Sequence, residues 1–507
     1  MPVCASGGAR KAGGLCVVAA GMAVVALCPA LLAVPSAAAA RTRPAHVSAA
    51  GAGGTWGKAE QVPGTAALNQ GGHAVTLSVS CAAAGDCSAV GYSTPSASSV
   101  VAKAFVVTES GGRWGKAEEV LGSAAFNSSG ATVDSVSCAA AGDCSAGGSA
   151  GQQAFVVNQT GGRWGKAEQV PGLAALNRAG LAQIVSVSCT APGQCSAGGY
   201  YASRVSHGLL VTQPFVVSES GGTWGTAQAV RGAAAVNPGG AMVNSVSCAA
   251  AGDCSAGGTY ASRAGQQAFV VNQTGGRWGT AEQVPGTAAL NKGGGAAVGS
   301  VSCAAAGRCS AGGYYENGSL FMQPFVVNET GGTWGRAEQV PGTAALNKGG
   351  TAQVDSVSCA AAGTCSAGGD YSLDNGNTEA FVVNETGGRW GKAEQVPGTA
   401  ALNKRGAETT SVSCAAAGQC SAGGYYLDGT GGQQAFVVNE AGGTWGKAEQ
   451  VPGTAALNKG GFAQIVSVSC AAAGRCGAGG LYASGSVNGR PVTQAFIVSE
   501  TTSDKAH

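Results

Sequence analysis

Histidine and charge are scarce in this chain: four His in 507 residues, 11% charged side chains and a formal net charge of +2. That balance argues against a nucleic-acid partner, which would need a basic excess. The four histidines are His46, His73, His207 and His507, two of them near the termini. They are too few and too scattered to build a repeated metal centre or a family of catalytic bases. No Gly-rich phosphate loop, zinc-binding helix or nucleophile elbow occurs. Aromatics are just 6% of the chain. Segments such as GTAALN are too short and too closely bounded by Gly to predict stable helices.

What is present is glycine, cysteine and repetition. The 87 Gly residues suit tight turns and sheets packed through small side chains. Eight tryptophans punctuate the chain: Trp56, Trp114, Trp164, Trp224, Trp278, Trp334, Trp390 and Trp445. Eight Cys-x5-Cys pairs alternate with them: Cys81 with Cys87, Cys138 with Cys144, Cys189 with Cys195, Cys248 with Cys254, Cys303 with Cys309, Cys359 with Cys365, Cys414 with Cys420 and Cys470 with Cys476. A period near 50 residues means an array or a closed ring of β-sheets. Zinc sites favour a shorter spacing with further ligands nearby, so the pairs predict eight local disulfides in an oxidising compartment and no metal. Each would close a loop of about seven residues and contribute roughly 2 kcal/mol.

Export agrees with the N-terminus. Residues 1–40 read as a signal peptide, with Arg10 and Lys11, an apolar run from Leu15 to Val34 and small residues at Ala38–Ala40. The same run is long enough to serve, uncleaved, as a membrane anchor. After cleavage the reading has no membrane segment: residues 41–53 form a flexible linker, 54–500 the folded body and 501–507 a disordered tail.

Each repeat reads as four strands. Strand A ends in SVSC, strand B runs through CSAGGYY, strand C is the FVV run and strand D starts at Trp. The Phe-to-Trp spacing is always nine residues, whereas the second Cys to Phe spacing varies from 11 to 20. The B-C loop therefore absorbs the length variation. The C-D link, as in Glu385-Thr386-Gly387-Gly388-Arg389, reads as a hairpin turn in which Gly supplies positive φ. The chain opens with a lone D strand and closes with a lone A-B-C set. The prediction is an all-β fold, a closed eight-bladed β-propeller of four-stranded blades whose N-terminal strand completes the last blade. A seven-bladed ring with a spare repeat and an open solenoid are the alternatives.

The spacing Gly424-Tyr425 to Trp445 resembles a kelch repeat, and Glu329-Thr330-Gly331-Gly332-Thr333-Trp334 resembles a degenerate Asp-box with Glu in place of Asp. The SVSC…CSAGG hairpin is similar to exported repeat proteins of actinobacteria over roughly residues 54–500. All three resemblances imply a β-propeller and none implies an activity.

The tryptophans read as packing between blades, and the Lys and Glu of strand D as a solvated rim. Asn69, Asn127, Asn177, Asn237, Asn291, Asn347, Asn403 and Asn458 recur in the D-A links, where they read as turn residues. The sharper alternative is a ring of amides around one mouth of the channel. All ten tyrosines end strand B. On the face shared by B-C loops and D-A links, Tyr201, Tyr315, Tyr426, Tyr260, Tyr371 and Tyr482 are the candidate ligand contacts. Strand-end packing is the plain alternative. The acids Glu316, Asp370, Asp374, Glu379 and Asp428 each occur in one repeat only, and their convergence on one cleft would point to a glycosidase-like centre. The functional expectation is an exported, non-enzymatic binding or scaffold module with no cofactor, taking a cell-surface glycan or protein. A structural cell-surface protein without a ligand and a propeller hydrolase or lyase are the alternatives.

Overall fold

The computed structural model describes residues 54–502 except 97–100, 127–129, 234–239 and 488. The signal peptide and linker, His46, His507, Asn127, Asn237 and residues 503–507 lie outside the described residues. The described chain forms eight antiparallel sheets, each in the order A-B-C-D. Blade 8 consists of Ala463–Ala472, Arg475–Val487, Arg490–Thr501 and the N-terminal Thr55–Trp56. Trp56 pairs with Glu500, and Gln61 with Phe496. The N-terminal strand thus closes the ring as the repeat order predicts. Each strand A touches the strand A of both neighbours, so these strands form the inner circle and strand D the outside.

The SVSC motif builds that inner circle. Both of its serines lie inward and accept backbone N–H bonds from the next blade. Ser300 Oγ accepts from Val357 at 3.0 Å and Ser302 Oγ from Cys359 at 2.9 Å. The seam repeats this: Ser467 accepts from Val79 and Ser469 from Cys81, both at 3.0 Å. Two belts of hydrogen bonds therefore run through every blade interface. Strand propensity alone does not reveal them.

In every blade strand A is bulged ahead of these serines, as between Val354 and Ser356. The bulge drives a carbonyl against the second Gly of strand B. A Cβ on Gly424 would lie 1.9 Å from the Glu408 carbonyl oxygen, and one on Gly369 2.0 Å from that of Gln353. This is why the second Gly never varies. Past the bulge the cysteines stand opposite each other, and all eight Cys-x5-Cys pairs are closed as disulfides.

The staple proves less local than its spacing predicts. Cys138 is bridged to Cys144 and Cys189 to Cys195 within their own hairpins, as expected. In blades 2 to 8 the second sulfur also meets a serine of the preceding blade, whereas Cys87 faces Gly477 of blade 8. Cys144 Sγ lies 3.5 Å from Ser88 Oγ, and Cys195 Sγ 3.3 Å from Ser145 Oγ. These cysteines therefore line the blade interface. The sequence spacing reports the bridge alone, because the second contact exists only once the blades are side by side.

Strand D differs from its predicted alternation. It breaks after Trp into two short pieces, such as Thr444–Trp445 and Glu449–Gln450. Trp, Ala and Val of WGKAEQV are turned inward while Lys and Glu face water. The break frees the Ala N–H to reach the preceding blade, as Ala448 N to Pro397 O at 2.7 Å and Ala59 N to Pro452 O at 2.7 Å. The Trp indole also crosses the interface: Trp390 Nε1 donates to Asn328 and Trp445 Nε1 to Asn384, each at 2.9 Å. The core is accordingly a set of apolar clusters between blades. One joins Ala380, Val382 and Val396 of blade 6 to Tyr426, Phe436 and Trp445 of blade 7.

The TAAL segments correct the sequence reading. Six of the D-A links contain a single α-helical turn, for example Thr399–Leu402. A preceding Gly in the left-handed region starts it, at φ 90° for Gly398. The buried Thr399 hydroxyl donates to Val396 O at 2.7 Å. Tertiary contacts hold a turn too short to persist alone.

Candidate functional site: the axial mouth on the loop face

Start of strand A, end of strand B, D-A links and B-C loops all meet on one face. Here the blades stop being alike. Blade 2 has a two-residue turn at 151–152, whereas blades 5, 6 and 7 carry loops 317–321, 373–377 and 428–432. Blades 3 and 8 extend hairpin arms, Gln194–Ser206 with Leu209–Ser220 and Arg475–Val487 with Arg490–Thr501. The large hydrophobic side chains left exposed among the described residues are Leu121, Val205, Leu320, Phe321 and Val487, all in these links, arms or loops.

The six candidate tyrosines form the floor beneath the loops. Tyr426 is 4% exposed, and Tyr201, Tyr315, Tyr371 and Tyr482 are similarly buried, with Tyr260 part-buried. They pack on the Phe of their own strand C: Tyr201 on Phe215, Tyr260 on Phe269 and Tyr482 on Phe496, at ring separations of 6.3–6.4 Å. Burial raises each phenol pKa, to about 12 for Tyr371. In blade 2, which has no Tyr, Phe126 stacks on Phe155 at 6.4 Å and fills the same space. The D-A asparagines serve as turn residues. Asn403 Nδ2 donates to Thr378 O while its Oδ1 accepts from Arg405 and Gly406. Asn69, Asn177, Asn347, Asn403 and Asn458 are buried and present no ring of amides.

Divergence also reaches the inner strands. The residue after the Gly-Gly pair stands opposite the second residue of strand A, next to the bulge. In blade 3 these are Tyr200 and Gln183, in blade 6 Asp370 and Gln353, in blade 7 Tyr425 and Glu408. Neither these paired positions nor the bulge carries a Lys, Arg or His in any blade. Between blades 2 and 3, Asp134 at the bulge accepts from Gln183 Nε2 at 2.9 Å and from Thr132 at 3.3 Å, and Tyr200 donates to Gln183 at 2.7 Å. Burial raises the Asp134 pKa to about 6 against these hydrogen bonds. Between blades 6 and 7, Asp355 takes the bulge and Glu408 the place of Gln183. Tyr425 donates to Glu408 at 2.9 Å, and Gln353 to Asp355 at 2.9 Å. Burial, then the Glu408 charge, lifts Asp370 to about 8.

Of the loop acids, only Asp370 joins this group. Asp374 is exposed, Glu379 accepts from Gln395 at 2.8 Å, and Asp428 accepts from Thr430 and Gly432 of its own loop and from Gln434 of strand C. Asp355 and Glu408 were missed in the sequence. The signal that could have found them is an acid at a strand A position held by neutral residues in most repeats.

The opposite face carries shallow clefts of about 220–290 Å³ between blades, lined by A-B staples and C-D turns. The Glu of each Glu-Thr-Gly-Gly turn is buried there. Glu385 accepts from Asn328 Nδ2 and Ser310 Oγ of the preceding blade. Burial raises the Glu385 carboxyl and lifts Glu500, which holds the same place in blade 8, to about 7. Cys359, Cys365 and Glu385 converge, as do Cys414, Cys420 and Glu440, but the sulfurs are disulfide-bonded and offer no thiolate to a metal. Asn328 is committed through both ends of its amide, to Glu385 and Trp390.

No protein-family model matches the chain, and no curated protein matches it. Among solved structures, it is similar to Sqt1 from Chaetomium thermophilum bound to the N-terminus of ribosomal protein L10. That match has 10% identity and a TM-score of 0.46, and covers 87% of this chain and 100% of that one. It is also similar to the Cps50 (Swd1) β-propeller domain of Myceliophteria thermophila, at 9% identity, TM-score 0.36, and 77% and 99% coverage. A subtype N11 neuraminidase-like protein of A/flat-faced bat/Peru/033/2010 matches at 14% identity, TM-score 0.35, and 72% and 98% coverage. The eight-bladed propeller assignment stands on the strand order and ring closure of the chain itself.

Proposed function

We propose that this chain is an exported, non-enzymatic β-propeller that binds a glycan or protein partner on its loop face. The observation that carries the reading is the divergence of the B-C loops and hairpin arms on this one face, where Val205, Leu320, Phe321 and Val487 are left exposed. Exposed apolar side chains rimmed by polar loops favour association. The other face is nearly the same in every blade, and Glu219, Glu329, Glu385, Glu440 and Glu500 there bond to an Asn of the preceding blade. Eight disulfides support an oxidising surrounding, and among the described residues no helix is long and apolar enough to cross a membrane. The kelch-like reading of Gly424-Tyr425 to Trp445 is kept within this proposal, and the four-stranded blades support it. The tyrosines enter as the support on which the contacting loops rest.

The test compares the full chain with a variant whose loops 317–321, 373–377 and 428–432 are replaced by the short turn of blade 2. Both are applied to a glycan array and cross-linked to intact cell surfaces. Loss of a ligand by the variant, with unchanged melting, is the expected result. Retention of the ligand by that variant, but its loss on charge reversal of Lys116, Lys166 and Lys392, would move the working surface to the outer rim. Absence of any ligand favours the purely structural role.

A further inference from the structure

Two B-C loops on the diverging face share one backbone design. In blade 7, Asp428 N donates to Gly432 O at 2.8 Å, and Asp428 Oδ1 accepts from Thr430 N at 2.9 Å and Gly432 N at 3.0 Å. In blade 5, Asn317 N donates to Phe321 O at 2.9 Å, and Asn317 Oδ1 accepts from Ser319 N at 2.8 Å and Phe321 N at 3.2 Å. The same loop is thus closed by a carboxylate in one blade and by its amide in the other. Gly follows in both, as Gly429 and Gly318. Gly318 is exposed, and no acceptor takes its N–H among the described residues. A side chain placed on it would meet only Lys292 Cβ, at 3.8 Å. Blade 6 carries the other Asn-Gly pair of the described residues, Asn375-Gly376, at a different place in its loop. There Gly376 N donates to Leu373 O at 3.0 Å, and Asn375 Oδ1 accepts one bond, from Asn377 N at 3.0 Å.

We propose that Asn317 is a self-modification site, which deamidates through Gly318 and converts the blade 5 loop to the acidic form that blade 7 already has. The Gly318 backbone nitrogen, having lost its proton, attacks Asn317 Cγ. The new N–C bond closes a five-membered imide, and the Cγ–Nδ2 bond breaks. Nδ2 leaves as ammonia, carrying the proton that Gly318 gave up. Water then opens the ring, at Cγ to give aspartate or at the main-chain carbonyl to give isoaspartate. Nothing is oxidised or reduced. During the attack negative charge develops on Oδ1, where the N–H groups of Ser319 and Phe321 already point. Gly318 sets no side chain against the approach and adopts the required backbone angles freely. The Gly376 N–H is instead held by Leu373 O, and one donor rather than two faces Asn375 Oδ1. The aspartate product fits the loop, since Asp428 makes the same bonds in blade 7. The isoaspartate product adds a carbon to the main chain and draws Ser319 and Phe321 away from those bonds. Either product changes the surface beside the exposed Leu320 and Phe321. The site stands whether or not that surface binds a ligand.

The full chain is aged in mildly alkaline buffer made with heavy-oxygen water, so that only newly formed carboxyls carry the label. Asn317 and Asn375 are then followed by peptide mapping, with fragmentation that separates aspartate from isoaspartate. In the folded chain Asn317 should convert at least about tenfold faster than Asn375, a barrier difference of about 1.4 kcal/mol or more. In urea, with the disulfides reduced and the loop bonds gone, the two should convert at similar rates. Gly318→Ala should slow the folded site at least about tenfold and leave the melting temperature unchanged, because the position is open. Asn317→Asp should melt like the native chain. Equal rates for the two asparagines in the folded chain, or an Asn317 that outlasts Asn375, would overturn the proposal. So would the same rate ratio in urea as in the fold, because the loop would then have no part in the reaction. A marked fall in melting temperature for Asn317→Asp would overturn the match to the blade 7 loop.

Discussion

Each serine of SVSC accepts a backbone N–H across a blade interface, so its role is structural although its chemistry is polar. Ser300→Ala leaves the buried N–H of Val357 without an acceptor and should cost about 1–3 kcal/mol in urea unfolding. The tyrosines divide by the two directions of a strand. Tyr425 reaches Glu408 at the inner edge, and Tyr426 packs among Val382, Phe436 and Trp445. Tyr426→Phe should change stability little. Tyr426→Ala should cost about 3–5 kcal/mol, the range for emptying a buried aromatic site. A melting curve unchanged by Tyr426→Ala would show that the ring is not part of the core.

At the scale of the element, the hairpin staples and the buried turn glutamates give separate predictions. Replacing Cys414 and Cys420 together by Ser should cost roughly 2 kcal/mol by the loop-entropy estimate. The buried carboxyls act through pH. Folding raises Glu500 to about 7, Asp134 to about 6 and Asp370 to about 8, each above its ordinary value. The folded chain then holds these protons more tightly than the unfolded chain. The stability they contribute is full at low pH and is lost as pH rises through the folded values. The melting temperature should therefore fall between about pH 4.5 and about pH 8, and Glu500→Gln should flatten that slope. A melting temperature that rises over this range would contradict the burial of these groups. The four strands, the staples and the Gly-Gly turns were legible because each leaves a local signature: SVSC, Cys-x5-Cys, FVV and Trp. The helical turn at Thr399–Leu402 and the break in strand D were not. Both are imposed by the neighbouring blade, through bonds such as Ala448 N to Pro397 O.

For the whole molecule, ring closure was legible from the order of the repeats, a lone D strand first and a lone A-B-C set last. The candidate site was legible only in part. Its loop face followed from the variable B-C spacing, and Asp370 stood out as an acid peculiar to one repeat. Asp355 and Glu408 hid within strand A, because which positions converge at the axis depends on the bulge. The loops also cover the tyrosines, which no strand pattern reports. Interblade bonds, inner acids and loop face all presuppose the closed ring. Thr55 and Thr501 are directly paired across the closing seam. Thr55→Cys and Thr501→Cys are introduced together, and the oxidised monomer is digested without reduction and mapped by mass spectrometry. A closed ring gives a link between residues 55 and 501 within one chain, beside eight unchanged native disulfides. Free thiols at both positions, or a link found only between two chains, would contradict it.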